Sequence, residues 1–235
     1  MITGGNSGIG AAIAQRILDR GEAVVSLGLA LPETDHPSLT GYVADLTNPQ
    51  DTAAIAQEIC ARHDIDQLVH NAGMILPDPL VEADPDDILT LAQLHLAAPM
   101  ALTKAALAGM EARGYGRILF ISSRASMGMA TRSAYASTKA GVHGLARTWA
   151  LELAPKGITV NVIAPGPVLT DNFWGIVPKD GALQDKIAKG VPVGRIGTVE
   201  DIANAAAFFL QETSGFVTGQ VLFVCGGTSL GGLNL

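Results

Sequence analysis

Thr3-Gly4-Gly5-Asn6-Ser7-Gly8-Ile9-Gly10 joins a strand stub, Met1–Thr3, to an amphipathic helix expected over Ile9–Arg20 and stopped by Gly21. Glycines here let the backbone close on a pyrophosphate, and the helix N-terminus offers free N–H groups with a partial positive charge. Strand, glycines and helix stand in the order a dinucleotide-binding turn requires. Taken alone, the same triplet reads as an ordinary turn. The spacing is not GxGxxG, and no Gly-Lys-Ser/Thr follows, which excludes a P-loop.

Outward from this turn, short β-rich runs alternate with longer helical ones. Strands are expected at Ala23–Leu27, Gly41–Ala44, Gln67–His70, Arg117–Ser122, Thr159–Ile163 and Val221–Val224. Helices are expected at Asp51–His63, Asp86–Arg113 (bent near His95–Pro99), Ala134–Leu153 and Glu200–Leu210. Helices of this length between strands imply right-handed crossovers and an α/β, doubly wound parallel sheet with helices on both faces. The apolar strand runs suit a sheet covered on both sides. The segment 171–190, mixed in Gly, Pro, Trp and Lys, reads as a lid over the strand ends, where ligands bind in such sheets.

Composition sets the outer limits. The 235 residues fit a single domain, and 48% hydrophobic against 16% charged residues excludes intrinsic disorder. A net charge of −7 with no basic block argues against nucleic acid or an anionic membrane surface as a partner. Cys60 and Cys225 form no CxxC pattern, so no zinc ribbon or disulfide scaffold is expected, and a cytoplasmic location fits. The apolar stretch Leu89–Met110 is interrupted by Gln93, His95, Pro99 and Lys104 and reads as buried helix rather than a span. The opening residues MITGGNSGIG have no basic start and no apolar core, so no signal peptide is expected.

Further motifs follow in order: Asp45-Leu46 in VADLTN, Asn71-Ala72-Gly73 preceded by His70, and Asn161 followed by Pro165-Gly166-Pro167-Val168 and Thr170. Pro192-Val193-Gly194-Arg195, Glu200-Asp201-Ile202-Ala203 and Thr218-Gly219-Gln220 complete the series. With the TGxxxGxG turn, this chain resembles the short-chain dehydrogenases/reductases from end to end. The resemblance implies a single Rossmann-type dinucleotide-binding catalytic domain over 1–235. It puts Gly4, Asn6, Ser7, Gly8, Ile9 and Gly10 on the cofactor, Asp45 and Leu46 beside the adenine, and Asn71, Ala72 and Gly73 along the dinucleotide. Pro165, Gly166, Val168 and Thr170 fall beside the nicotinamide. Each has a structural alternative: Asn71 as a bridge between strands, Asp45 as a turn cap with Thr47 or Asn48, Pro165-Gly166 as a turn.

Tyr135-Ala136-Ser137-Thr138-Lys139 places a phenol and an amine at i and i+4, on one face of a helix. A nearby ammonium and an oxidised nicotinamide favour the phenolate, giving a general acid/base for an alcohol or carbonyl oxygen. The resemblance adds that Lys139 binds the nicotinamide ribose and that an upstream serine holds the substrate oxygen. Separation from the tyrosine selects Ser122. Strand alignment selects Ser123, which we prefer. The family usually carries an asparagine where this chain has His95. That histidine is either a helix residue in a polar gap or the replacement for a proton-relay group, and titration near neutrality would then add a second pH limb.

The end of the second strand, Ser26-Leu27-Gly28-Leu29, carries neither the acid that accepts the ribose of NAD nor a base for the 2′-phosphate of NADP. No Lys or Arg occurs between Arg20 and Arg62, so NAD is favoured, with NADP not excluded. The substrate wall is expected from Met74, Arg124–Met129, Pro167 and Asn172-Phe173-Trp174. It is mostly apolar, with Arg124 either attracting a carboxylate or held in a surface salt bridge. The expected function is hydride transfer between NAD(P) and a secondary alcohol/ketone pair at a Ser-Tyr-Lys site with no metal. The alternatives are a 3-oxoacyl-thioester reductase using NADPH and a non-catalytic dinucleotide sensor. The resemblance also implies a homotetramer or homodimer.

Overall fold

A computed structural model of the chain describes residues 1–170, 173 and 181–230. Seven parallel strands form one sheet: β1 (Ile2–Thr3), β2 (Val24–Gly28), β3 (Leu39–Val43), β4 (Gln67–His70), β5 (Gly116–Ile121), β6 (Ile158–Pro165) and β7 (Val221–Val224). Their order is β3-β2-β1-β4-β5-β6-β7. The order reverses at β1, which pairs with β2 through Ile2↔Ser26 and with β4 through Ile2↔Val69. This is the topological switch point, where a crevice opens beyond the strand ends.

The helices are α1 (Gly8–Leu18), α2 (Pro49–Arg62), α3 (Pro85–Ala92), α4 (Ala98–Arg113), α5 (Ser133–Leu153), α6 (Ala182–Gly190) and α7 (Val199–Leu210). Three of the starts have a side-chain cap. Asn48 caps α2 by accepting from the Gln50 and Asp51 amides at 2.9 and 3.2 Å. Asp84 caps α3, and Thr198 with Asp201 forms a capping box on α7. The helix expected over Asp86–Arg113 is broken by one π-helical turn, Gln93–Ala97, at the expected bend. Strand β3 starts two residues earlier than the sequence suggested. It lies at the sheet edge, where the half-exposed pattern blurs the hydrophobic signal.

Side-chain alternation along the strands feeds two separate cores. Leu27, Leu68, Ile118, Phe120 and Val160 pack against α2, α4 and α5. Ile2, Val69, Leu119, Ile121 and Ile163 pack against α1 and α7. Arg117, buried in β5, donates to the carbonyls of Gly116 and Glu212 at 2.9 and 3.0 Å. Among the described residues no helix is long and apolar enough to cross a membrane. Nine of the twenty residues of the expected lid, 171, 172 and 174–180, lie outside the described residues. Helix α6 forms the remainder.

Candidate active site

A cleft of about 930 Å³ opens beyond the strand ends at the switch point. Its lining includes Gly4, Asn6, Ser7, Gly8, Ile9, Asp45, Leu46, Asn71, Ala72 and Gly73. Ser123, Tyr135, Lys139, Pro165, Gly166, Val168 and Thr170 line it as well. Of the expected site residues, only Gly10 and His95 do not line the cleft. Gly10 has a packing role instead: a β-carbon there would stand 2.0 Å from the Gly4 carbonyl oxygen, so a side chain would lift α1 off the turn. His95 sits one layer deeper.

The glycine turn fits a dinucleotide. Gly4 and Gly8 hold φ of 64° and 51°, conformations that side chains disfavour. Ser7 precedes α1 without capping it by its hydroxyl, which leaves first-turn N–H groups for a pyrophosphate. Asn71 does the bridging work: its Nδ2 donates to the carbonyls of Thr3 and Gly4 at 3.1 and 3.0 Å. Asp45 caps a turn, its Oδ1 accepting from the Thr47 amide and hydroxyl at 2.8 and 2.7 Å, and these bonds hold its carboxyl below the usual range. Both residues still face the cleft, so the structural and binding readings coexist.

Beyond β5 the two serines part. The Ser122 hydroxyl donates to the Lys139 carbonyl and meets His143 Nε2, both at 2.9 Å. It ties the strand to α5 and is spent on structure. Ser123 lines the cleft with Tyr135, stands near enough to pull the phenol's pKa down, and accepts from the Ala125 amide at 3.1 Å. The geometry brings Ser123, not Ser122, to the tyrosine.

Burial raises the Tyr135 pKa, while the Ser123 hydroxyl and the Arg132 guanidinium pull it back. Lys139 was expected to supply that pull. Here its ammonium instead donates to the Ile121 carbonyl at 2.8 Å and lies 5.7 Å from the phenol ring centroid. Burial pushes Lys139 itself down to about 8, so it stays largely protonated at neutral pH.

His95 had two readings, a helix residue in a polar gap or a proton-relay group. Thr138 donates its one hydroxyl proton to helix carbonyls at Ala134 and Tyr135. It therefore accepts from His95 Nδ1–H, at 2.9 Å, leaving Nε2 as a lone pair. That nitrogen is buried and has no hydrogen-bond partner among the described residues. A β-carbon on Gly73 would stand 3.0 Å from His95 Nε2 and 3.3 Å from Lys139 Nζ, so the bare glycine leaves the gap where imidazole and amine meet. Burial, then the Lys139 charge, pushes His95 down to about 2. It is a fixed neutral acceptor and does not titrate near neutrality. Behind it, His70, His95 and Lys139 share an internal cavity of about 10 Å³, roughly the room of one water.

Comparison with known proteins agrees with this geometry. The family model described as Enoyl-(Acyl carrier protein) reductase, of the short-chain dehydrogenases/reductases, matches residues 4–229. The chain belongs to the short-chain dehydrogenase/reductase family. It is similar to (2S)-[(R)-hydroxy(phenyl)methyl]succinyl-CoA dehydrogenase subunit BbsD of Thauera aromatica, at 38% identity over 98% of this chain and 96% of that protein. It is also similar to the 3-oxoacyl-[acyl-carrier-protein] reductase FabG of Haemophilus influenzae, at 34% identity over 98% of this chain and 97% of the relative. Among solved structures, ElxO with NADP bound superposes with a TM-score of 0.89 at 29% identity, covering 98% of both chains. As a member of this family the protein is an NAD(P)-dependent oxidoreductase.

Several cleft residues escape the family motifs. At the adenosine end, Gly28 closes β2 and the exposed Leu29 follows it. A β-carbon on Gly28 would stand 2.7 Å from Asn6 Oδ1, so Asn6 reaches over the position after Leu27. At the substrate end, Arg132 enters from the loop before α5, and Gly227 and Thr228 enter from beyond β7. Their signal lies in loop geometry, which hydrophobic periodicity does not encode. Of the expected substrate wall, Met74, Arg124, Ala125, Met129, Pro167 and Phe173 line the cleft, Ser126, Met127 and Gly128 do not, and Asn172 and Trp174 lie outside the described residues.

Proposed function

We propose that the protein interconverts a secondary alcohol and a ketone. The observation that carries this is that Ser123, Tyr135 and Lys139 line one cleft with the glycine turn, with Lys139 one helical turn along α5 from the phenol. Oxidation of R₂CHOH with NAD(P)⁺ gives R₂C=O, NAD(P)H and a proton. A bound nicotinamide supplies the hydride acceptor or donor. Ser123 holds the substrate oxygen, and Tyr135 takes the hydroxyl proton in oxidation or returns it in reduction. The Lys139 ammonium stands behind the phenol, and the lone pair of His95 Nε2 gives that amine a polar neighbour. Met74, Met129 and Pro167 provide apolar walls. With no basic residue among Gly28, Leu29, Ala44, Asp45 and Thr47 at the adenosine end, NAD is favoured and NADP is accepted.

The test is a panel of alcohols and ketones followed by dinucleotide absorbance, with NAD(H) and NADP(H) assayed separately. Tyr135→Phe should lose at least about a hundredfold in turnover while still binding dinucleotide. Full retained activity would remove the role assigned to the phenol. A second reading, reduction of a 3-oxoacyl thioester, is favoured by the name of the Haemophilus influenzae relative. A 3-oxoacyl thioester in the same panel separates the two by relative kcat/KM.

A further inference from the structure

The cleft has an uneven charge distribution. Its one described carboxylate, Asp45, lies at the adenosine end and is engaged by Thr47. The reacting end holds Arg124, Arg132 and Lys139. Arg124 opens the turn directly after Ser123, and Arg132 stands three residues before Tyr135, close enough for its charge to act on the phenol. Both arginines thus line the same cleft as Ser123 and Tyr135. Neither has a carboxylate partner among the described residues, a state they share with Arg16, Arg117 and Arg147, but only these two line the cleft. Both are half-buried.

The support for Arg132 is built. Its Nη1 donates to the Thr131 carbonyl at 3.0 Å and to the Thr131 hydroxyl. Thr131 itself has φ of 62°, alone in positive φ among the described non-glycine residues. A β-branched residue in that region is strained, and such strain persists only where its surroundings enforce it. Asp78 pairs with Arg132 through a backbone bridge alone, without an ion pair.

We infer that the substrate carries a carboxylate a few bonds from the reacting carbon, and that Arg124 and Arg132 bind it. A guanidinium fork matches a carboxylate in geometry and charge. Because both arginines line the cleft together with Ser123 and Tyr135, a carboxylate on the substrate itself suits them better than the phosphates of a thioester arm, which lie many bonds from the carbonyl. The inference rests on the alcohol–ketone reading above. In oxidation the carboxylate stays intact: a hydroxy acid with NAD(P)⁺ gives the oxo acid, NAD(P)H and a proton.

The experiment compares 2-, 3- and 4-hydroxy carboxylic acids with their methyl esters, and with a 3-hydroxyacyl-coenzyme A thioester. It uses the wild-type protein, Arg124→Met and Arg132→Met. The readout is the ratio of kcat/KM for acid over ester. Calorimetric binding of the acids to the protein without dinucleotide is measured alongside. The wild type should prefer one acid, and each variant should lower that ratio at least about tenfold and weaken binding of that acid. Arg124→Lys should recover part of both. An unchanged ratio in both variants overturns the proposal and leaves the alcohol–ketone reading standing. A thioester preference that falls with the arginines while acids and esters stay equal also overturns it, placing the anion on the arm. If none of the compounds and no neutral alcohol or ketone is turned over, the alcohol–ketone reading itself fails.

Discussion

Ser122 and Ser123 carry the same hydroxyl, and the pleat of β5 separates their work. Ser122 shares the parity of Ile118 and Phe120 and faces α5, while Ser123 falls past the strand end and lines the cleft with the phenol. Strand position is what favoured Ser123 in the sequence, and the Ser122 hydroxyl is engaged by α5. The state of His95 was not legible there, because its cause is burial against a lysine 44 residues away in sequence. A pH prediction follows at this scale. His70 and His95 are pushed down to about 3 and about 2 in the folded protein, against about 6.5 unfolded. Below pH about 6.5 the unfolded chain binds more protons, so stability falls as pH drops, by up to about 1.4 kcal/mol per pH unit for each histidine. Urea titrations between pH 7.5 and 5 should show this slope, and His70→Asn should make it shallower. For activity, His95→Asn should leave the shape of the kcat/KM profile near pH 6–7 unchanged. A limb present in the wild type and lost in the variant would contradict the buried neutral imidazole.

Elements were legible where periodicity or end chemistry was strong. The glycine turn, the Asn48 cap and the α5 face carrying Tyr135 and Lys139 all follow from short-range rules. The π-turn at Gln93–Ala97 was visible as a bend but not in kind, since the extra residue depends on how α3 and α4 pack. Arg132 was missed because its approach depends on the left-handed Thr131, a conformation that its residue type argues against. Two glycine substitutions should diverge. Gly10→Ala meets the Gly4 carbonyl oxygen and should weaken dinucleotide binding at least about tenfold, equivalent to about 1.4 kcal/mol, as read by titration. Gly144→Ala, exposed in mid-α5 with nothing within 4 Å of the new methyl, should raise unfolding free energy by about 0.5–1 kcal/mol.

At the scale of the molecule, the alternation of strands and helices already implied a covered parallel sheet, and the order reversal at β1 supplies the crevice. What sequence could not supply is how firmly the far end of the fold is fastened. Arg117 reads as an ordinary strand residue, yet it is 4% exposed and gathers carbonyls from three separate segments. Arg117→Leu strips those acceptors of their donor and should cost about 1–3 kcal/mol or more, measured as a lower urea midpoint with the slope preserved.

The two apolar interiors on either side of the sheet share a wall of backbone and almost nothing else. Ile59 lies fully enclosed on one side and Ile202 on the other. Trimming each to valine should cost about 1 kcal/mol, and the double change should equal the sum of the singles within about 0.5 kcal/mol. A molecule arranged in this way can drift in sequence on one flank without consulting the other, so long as the crevice between them keeps its rim.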